Sequence, residues 1–86
     1  MKLQYEFVAR DIAGETFLVP IGEAAKKYSG LFALNELGAF LWKHLENAEN
    51  EESLVELVLE EYDIDCKTAA ADIAEFLQNL RKMEII

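Results

Sequence analysis

The sequence predicts an α+β fold, a three-stranded antiparallel sheet followed by three helices in a winged-helix-like arrangement, within one domain spanning residues 1–86. Three observations carry that expectation. Residues 3–12 and 16–21 alternate apolar and polar side chains with the period of two that suits half-buried strands, and Leu31–Leu34 is a short, almost wholly apolar run, as expected of a strand. Beyond it the apolar positions recur every three or four residues, the spacing of one helix face. Asn35 stands at the change of period. Its side-chain oxygen can accept a bond from an orphan backbone N–H, which starts a helix directly after a strand. Finally, a run of strands followed by a run of helices, rather than an alternation of the two, is the α+β order.

The elements follow in turn. Residues 3–12 alternate, with Leu3, Tyr5, Phe7 and Ala9 on one side and Gln4, Glu6, Val8 and Arg10 on the other, which is a first half-buried strand. Asp11 to Glu15 is a short connection, and Gly14 supplies the positive φ that hairpin turns often need. Thr16–Ile21 alternates again, with Phe17, Val19 and Ile21 on one face. Pro20 lacks an N–H and gives that strand an edge or interrupted character near its end. Gly22–Gly30 is a connection that admits one helical turn at Glu23–Lys27, and Leu31–Leu34 is the third strand.

Three helices are expected next. The first spans Glu36 to Glu46, with Leu37, Phe40, Leu41 and Leu45 in helical spacing and Trp42 beside them as a core residue. The second begins after Asn50, an N-cap followed by Glu51 and Glu52, whose charges suit the positive end of the helix dipole. Its core stripe is Leu54, Val55, Val58, Leu59 and Tyr62. The third begins after Asp65 and has the clearest period in the chain: Ala69, Ala70, Ile73, Phe76, Leu77, Leu80 and Met83. Arg81 and Lys82 lie in its last turns, where the dipole favours them. The tail Ile85-Ile86 docks on the core.

At 86 residues the chain builds one modest core. A hydrophobic content of 52% and an aromatic content of 10% exclude a disordered chain. No stretch reaches membrane-spanning length, and the N-terminus MKLQYEF lacks the apolar core of a signal peptide. The lone Cys66 forms no internal disulfide and agrees with a reducing compartment, so a cytoplasmic protein is the simplest reading. The net charge of −9 is concentrated in one segment. Residues 1–43 carry five acidic and five basic groups and residues 67–86 carry three of each, whereas His44–Cys66 carries nine acidic groups and no Lys or Arg. A solvated, solubilising helix face is the simplest account of that segment.

Catalysis needs a nucleophile with its base, a metal cluster or a cofactor loop. The chain has one His and one Cys, and neither a GxGxxG nor a P-loop pattern. His44 reads as a partly exposed helix side chain and Cys66 as a small packing residue. Asp63 and Asp65 resemble the start of a calcium loop, but Lys67 and Thr68 occupy its fifth and sixth positions and the bidentate Glu is missing. The residues therefore call for no cofactor and no metal.

The strand leading into Leu34-Asn35-Glu36 and then a helix with Phe40-Leu41-Trp42 resembles the PqqD family. So do the turn Ile12-Ala13-Gly14-Glu15 with Leu18-Val19-Pro20, the helix ending Glu61-Tyr62-Asp63, and the closing Phe76-Leu77 with Leu80. These segments keep the family's order from about residue 5 to residue 86. PqqD is pyrroloquinoline-quinone biosynthesis protein D, and its fold recurs as the RiPP recognition element. The resemblance implies a module that binds the leader part of a ribosomally made precursor peptide and presents it to a modifying enzyme, often a radical-SAM protein. It implies that the leader adds as a strand along Leu31, Phe32, Ala33 and Leu34. Its side chains would enter a groove walled by Ile73, Phe76, Leu77 and Leu80, with Lys67, Arg81 or Lys82 available for acidic leader residues. An open sheet edge offers the unpaired N–H and C=O groups that such a peptide needs. Against this stands the plainer account that every one of these apolar residues is core.

Two other functions fit parts of the pattern. A winged-helix DNA binder would use the third helix, with Lys67, Arg81 and Lys82, for recognition. DNA affinity depends on neutralising phosphates, which a −9 domain does poorly. An acyl carrier protein would place phosphopantetheine on Ser53 at the head of the acidic helix. However, Glu52 stands where that motif has Asp, the preceding Gly is absent, and the N-terminal half reads as hairpin.

Overall fold

The computed structural model describes all residues 1–86. The chain opens with a hairpin, β1 (Phe7–Ile12) and β2 (Glu15–Pro20), followed by a short helix α1 (Glu23–Lys27) and strand β3 (Phe32–Leu34). Helices α2 (Glu36–Leu45), α3 (Glu51–Glu61) and α4 (Cys66–Lys82) follow. The sheet is antiparallel in the order β1-β2-β3, with Phe7 opposite Pro20 and Phe17 opposite Ala33. Both β1 and β3 are therefore edge strands. The expected α+β class holds, and α1 is the helical turn allowed for at Glu23–Lys27. No helix is long and apolar enough to cross a membrane.

The hairpin turns on Ala13 and Gly14, at φ 52° and 84°. Positive φ at both central residues is the type I′ geometry, whose twist matches that of paired strands. Two strand expectations need correction. The first strand begins at Phe7 rather than residue 3, because the ladder with β2 ends at the Phe7–Pro20 pair, beyond which the Ile21 amide still donates to the Glu6 carbonyl at 3.0 Å. The segment before it turns to the other end of the chain, where the Gln4 amide donates to the Ile85 carbonyl at 2.7 Å. The third strand begins at Phe32, one residue later than expected. In β2 the fully buried side chain is Leu18, and the Phe17/Val19 face is only half-buried. Period-two alternation gives two faces and does not say which of them meets the helices.

All three long helices start on side-chain caps. Asn35 Oδ1 accepts from the Gly38 amide at 2.7 Å, Asn50 Oδ1 from Ser53 at 2.9 Å, and Asp65 Oδ1 from Thr68 at 2.7 Å. These bonds satisfy donors that the helix itself leaves open, and the Thr68 amide holds the Asp65 carboxyl below the usual carboxylate range. The C-terminus of α4 closes without glycine. Glu84 adopts φ 63°, its amide donates to Arg81, and the Ile85 amide donates to Leu80 at 2.9 Å. This is a Schellman closure with Glu in the left-handed position. Ile85, which the turn delivers to the interior, is fully buried, and its apolar burial offsets the backbone strain.

The core lies between the sheet and the helices. One buried cluster joins Leu18 of β2, Leu41 and Leu45 of α2, Leu54 and Val58 of α3, and Ile73, Leu77 and Leu80 of α4, with Phe7 and Ile85 completing it. An aromatic group extends this core towards β3. Tyr28 packs on Phe7 and edge-on against Phe32, and Phe7 meets Trp42, with ring centroids 5.2–6.2 Å apart. Tyr28 also donates its hydroxyl to the Met83 carbonyl, and Lys27 pairs with Glu84. The approach to β3 is thereby tied to the end of α4, which sets the distance between them.

Candidate functional site

The open edge of β3 borders a mostly apolar depression. β3 pairs on one side with β2, and its other side has no partner strand. Within it Phe32 and Leu34 turn inward and are half-buried, whereas Ala33 and the preceding Leu31 face outward. Leu31 is 50% exposed, one of the few large apolar side chains the protein leaves in water. An unpaired backbone edge beside exposed apolar surface is a site for a second chain.

Between this edge and α4 runs a groove of about 630 Å³. Leu31, Phe32, Ala33 and Leu34 form one wall, and Phe76, Asn79, Lys82 and Met83 of α4 form the other. Leu18, Leu80 and Ile85, all buried, lie at its floor. The groove continues past Phe76 into a second hollow of about 240 Å³ bounded by Leu37, Leu41, Asp72 and Glu75. Gly38 lies where the two meet. A Cβ on it would stand 3.1 Å from Asn35 Oδ1 and 3.5 Å from both Leu34 and Phe76. Its lack of a side chain lets the first turn of α2 approach the groove without filling it.

This arrangement matches a known family and a known structure. Over residues 15–86 the chain matches the family described as Coenzyme PQQ synthesis protein D. The chain belongs to the PqqD family. A solved structure described as TbiB1 in complex with the TbiA(beta) leader peptide superposes with a TM-score of 0.74 at 27% identity. The match covers 99% of this chain and 93% of that one. Among curated proteins, none matches significantly.

In this PqqD protein the residues singled out from sequence divide into two groups. Leu31, Phe32, Ala33, Leu34, Phe76, Leu80 and Lys82 border one groove. Ile73 and Leu77 do not. Both are fully buried in the core beneath it, because a helical stripe broad enough to reach sheet and α3 turns those two positions inward. Lys67 and Arg81 are exposed and border neither hollow. Lys67 lies in the first turn of α4, and Arg81 is one helix step round from Lys82.

Other bordering residues escaped the sequence reading: Asn79 and Met83, Gly38, and Asn35, which caps α2 and also edges both hollows. Met83 belongs to the helical stripe that the spacing assigns to the core, and Asn79, three residues beyond Phe76, lies on the same face by the same spacing. Gly38 carried its own signal as an isolated glycine inside a helical pattern. The acidic helix α3 faces elsewhere, packing Leu54 and Val58 inward and contributing nothing to either hollow. Ser53 is a first-turn residue whose hydroxyl donates to the Asn50 cap, and His44 packs against Phe40 with ring centroids 4.7 Å apart.

Proposed function

We infer that residues 1–86 form a single non-catalytic domain that captures the leader of a ribosomally made precursor peptide and presents it to a modifying enzyme. The observation that carries this reading is the free β3 edge flanked by an apolar groove, in a PqqD fold whose solved neighbour holds a leader peptide. An extended leader would complete the backbone bonds of Leu31–Leu34 and place alternate side chains against Phe76, Leu80 and Met83. The lining supplies a hydrogen-bonding edge and apolar surface, which hold a chain rather than transform it. A radical-SAM enzyme is the partner class that the family resemblance suggests, and the cytoplasm, where precursors are made, is the setting.

The DNA-binding alternative fits the surface less well. On α4, Asp72 and Glu75 stand between Lys67 and Arg81, so the helix that would enter the groove of a duplex carries repelling charge along its middle.

A display selection against the intact protein tests the reading. Peptides are expected to emerge with apolar residues at alternate positions, and an unlabelled enriched peptide should displace its labelled counterpart. Recovery of no such peptide, together with binding of generic duplex DNA at low salt, would favour the rival.

A further inference from the structure

The two hollows beside β3 form one channel, since Asn35, Gly38, Phe76 and Asn79 border both. Its ends differ in charge. Asp72 and Glu75 stand at one end, and Lys82 stands at the other beside Met83. All lie on one stripe of α4, reached from Asp72 in steps of three or four residues. The ion pairs of the protein are Lys26–Glu23 and Lys27–Glu84, so Asp72, Glu75 and Lys82 have no ion-pair partner within the protein. The strand has a fixed sense along this channel. Leu31, Phe32 and Ala33 border only the hollow with Lys82, whereas Asn35, just past the strand's end, borders both. The C-terminal end of β3 therefore points to the acidic end.

The spacing suits an extended chain. From Glu75 and Asp72 to Lys82, α4 advances about 10 Å and 15 Å at its 1.5 Å rise. A strand advances about 3.3 Å per residue and shows every second side chain to one face. Four residues cover about 13 Å, so positions i, i+2 and i+4 of an added strand reach from one charged end to the other with the middle side chain over Phe76. Antiparallel addition continues the sheet's own pattern and is slightly the more stable per residue. The added chain then enters at the Asn35 end and leaves at the Leu31 end.

We propose that this groove reads charge order in its ligand, selecting a segment that runs basic–x–apolar–x–acidic from N- to C-terminus. The basic side chain meets Asp72 and Glu75, the apolar one meets Phe76, and the acidic one meets Lys82. The inference rests on the leader-binding reading of the same groove and adds direction and register to it. Backbone bonding and the apolar side chain supply most of the affinity. The charges discriminate, because like charges brought together penalise the reversed order.

The test uses the intact protein and two labelled synthetic peptides of identical composition, built in the frame of a peptide enriched by the display selection. One carries the order Lys-Ser-Leu-Ser-Glu, the other Glu-Ser-Leu-Ser-Lys. The first is expected to bind about tenfold more tightly at low salt, as two exposed pairs turn from attractive to repulsive, and the gap should narrow at high salt. A triple variant, Asp72→Lys, Glu75→Lys and Lys82→Glu, changes only exposed side chains and should invert the preference. Equal affinity for both orders, or a triple variant that keeps the original preference, overturns the charge order while leaving leader binding in place. If neither binds while the enriched parent peptide does, the charge order falls and leader binding stands; if the parent peptide also fails to bind, both readings fall.

Discussion

Leu77→Ala is expected to lower the free energy of unfolding by about 2–5 kcal/mol, the range for removing a fully buried leucine side chain and leaving a cavity. Leu77 is completely buried, in a cluster that joins β2, α2, α3 and α4. No single element can close over the space it vacates without moving the others. A chain of this length has a total stability of about 4–13 kcal/mol at the usual 0.05–0.15 kcal/mol per residue, so the loss is a large fraction of the whole. Urea denaturation followed by far-UV circular dichroism measures it. A loss under about 1 kcal/mol would mean that the site collapses freely or that Leu77 is not enclosed.

Phe76→Ala, one residue earlier on the same helix, should separate binding from folding. Phe76 is half-buried and stands where the two hollows meet, close to Gly38 and facing the β3 wall. Its ring borders both hollows, where an incoming chain would lie. Truncating an aromatic anchor at the centre of an interface costs about 2 kcal/mol or more, which is roughly a 30-fold rise in Kd. Fluorescence polarisation with a display-enriched peptide reads the affinity, and a thermal melt of the same variant reads the fold. The expected pattern is a large loss of affinity with a smaller loss of stability than Leu77→Ala produces. The opposite pattern, intact binding with a badly destabilised fold, would make Phe76 a core residue and remove it from the site.

The contrast between these neighbours marks where sequence reasoning stops. Helix existence was legible because the caps are written in residue types: Asn35, Asn50 and Asp65 each accept from the amide three residues on. The groove's strand wall was legible too, in the short apolar run that ends at Asn35. The helix wall was not. Ile73, Phe76, Leu77 and Leu80 form one apolar stripe, yet Ile73 and Leu77 are wholly enclosed while Phe76 is half-open. The difference depends on where β3 and α3 lie around α4, which a one-dimensional period does not encode. The same holds for β2, whose alternation is plain but whose buried residue is Leu18 rather than the Phe17/Val19 set. The end of α4 gave no glycine signal, because Glu84 takes the left-handed position, held by its pairing with Lys27 and by Ile85 burying beyond it. The link from Tyr28 to the Met83 carbonyl joins residues distant in sequence and is visible only in three dimensions.

Strand addition at β3 is tested most directly by amide-resolved NMR. ¹⁵N-labelled protein titrated with a display-enriched peptide should show its largest shift changes at the backbone amides of Leu31–Leu34. At least one of these amides that exchanges readily in the free protein should become protected as its N–H finds a carbonyl. Side-chain signals of Phe76 and Met83 should move with them. Changes confined to α3, with Leu31–Leu34 unmoved and unprotected at saturation, would rule out strand addition at β3.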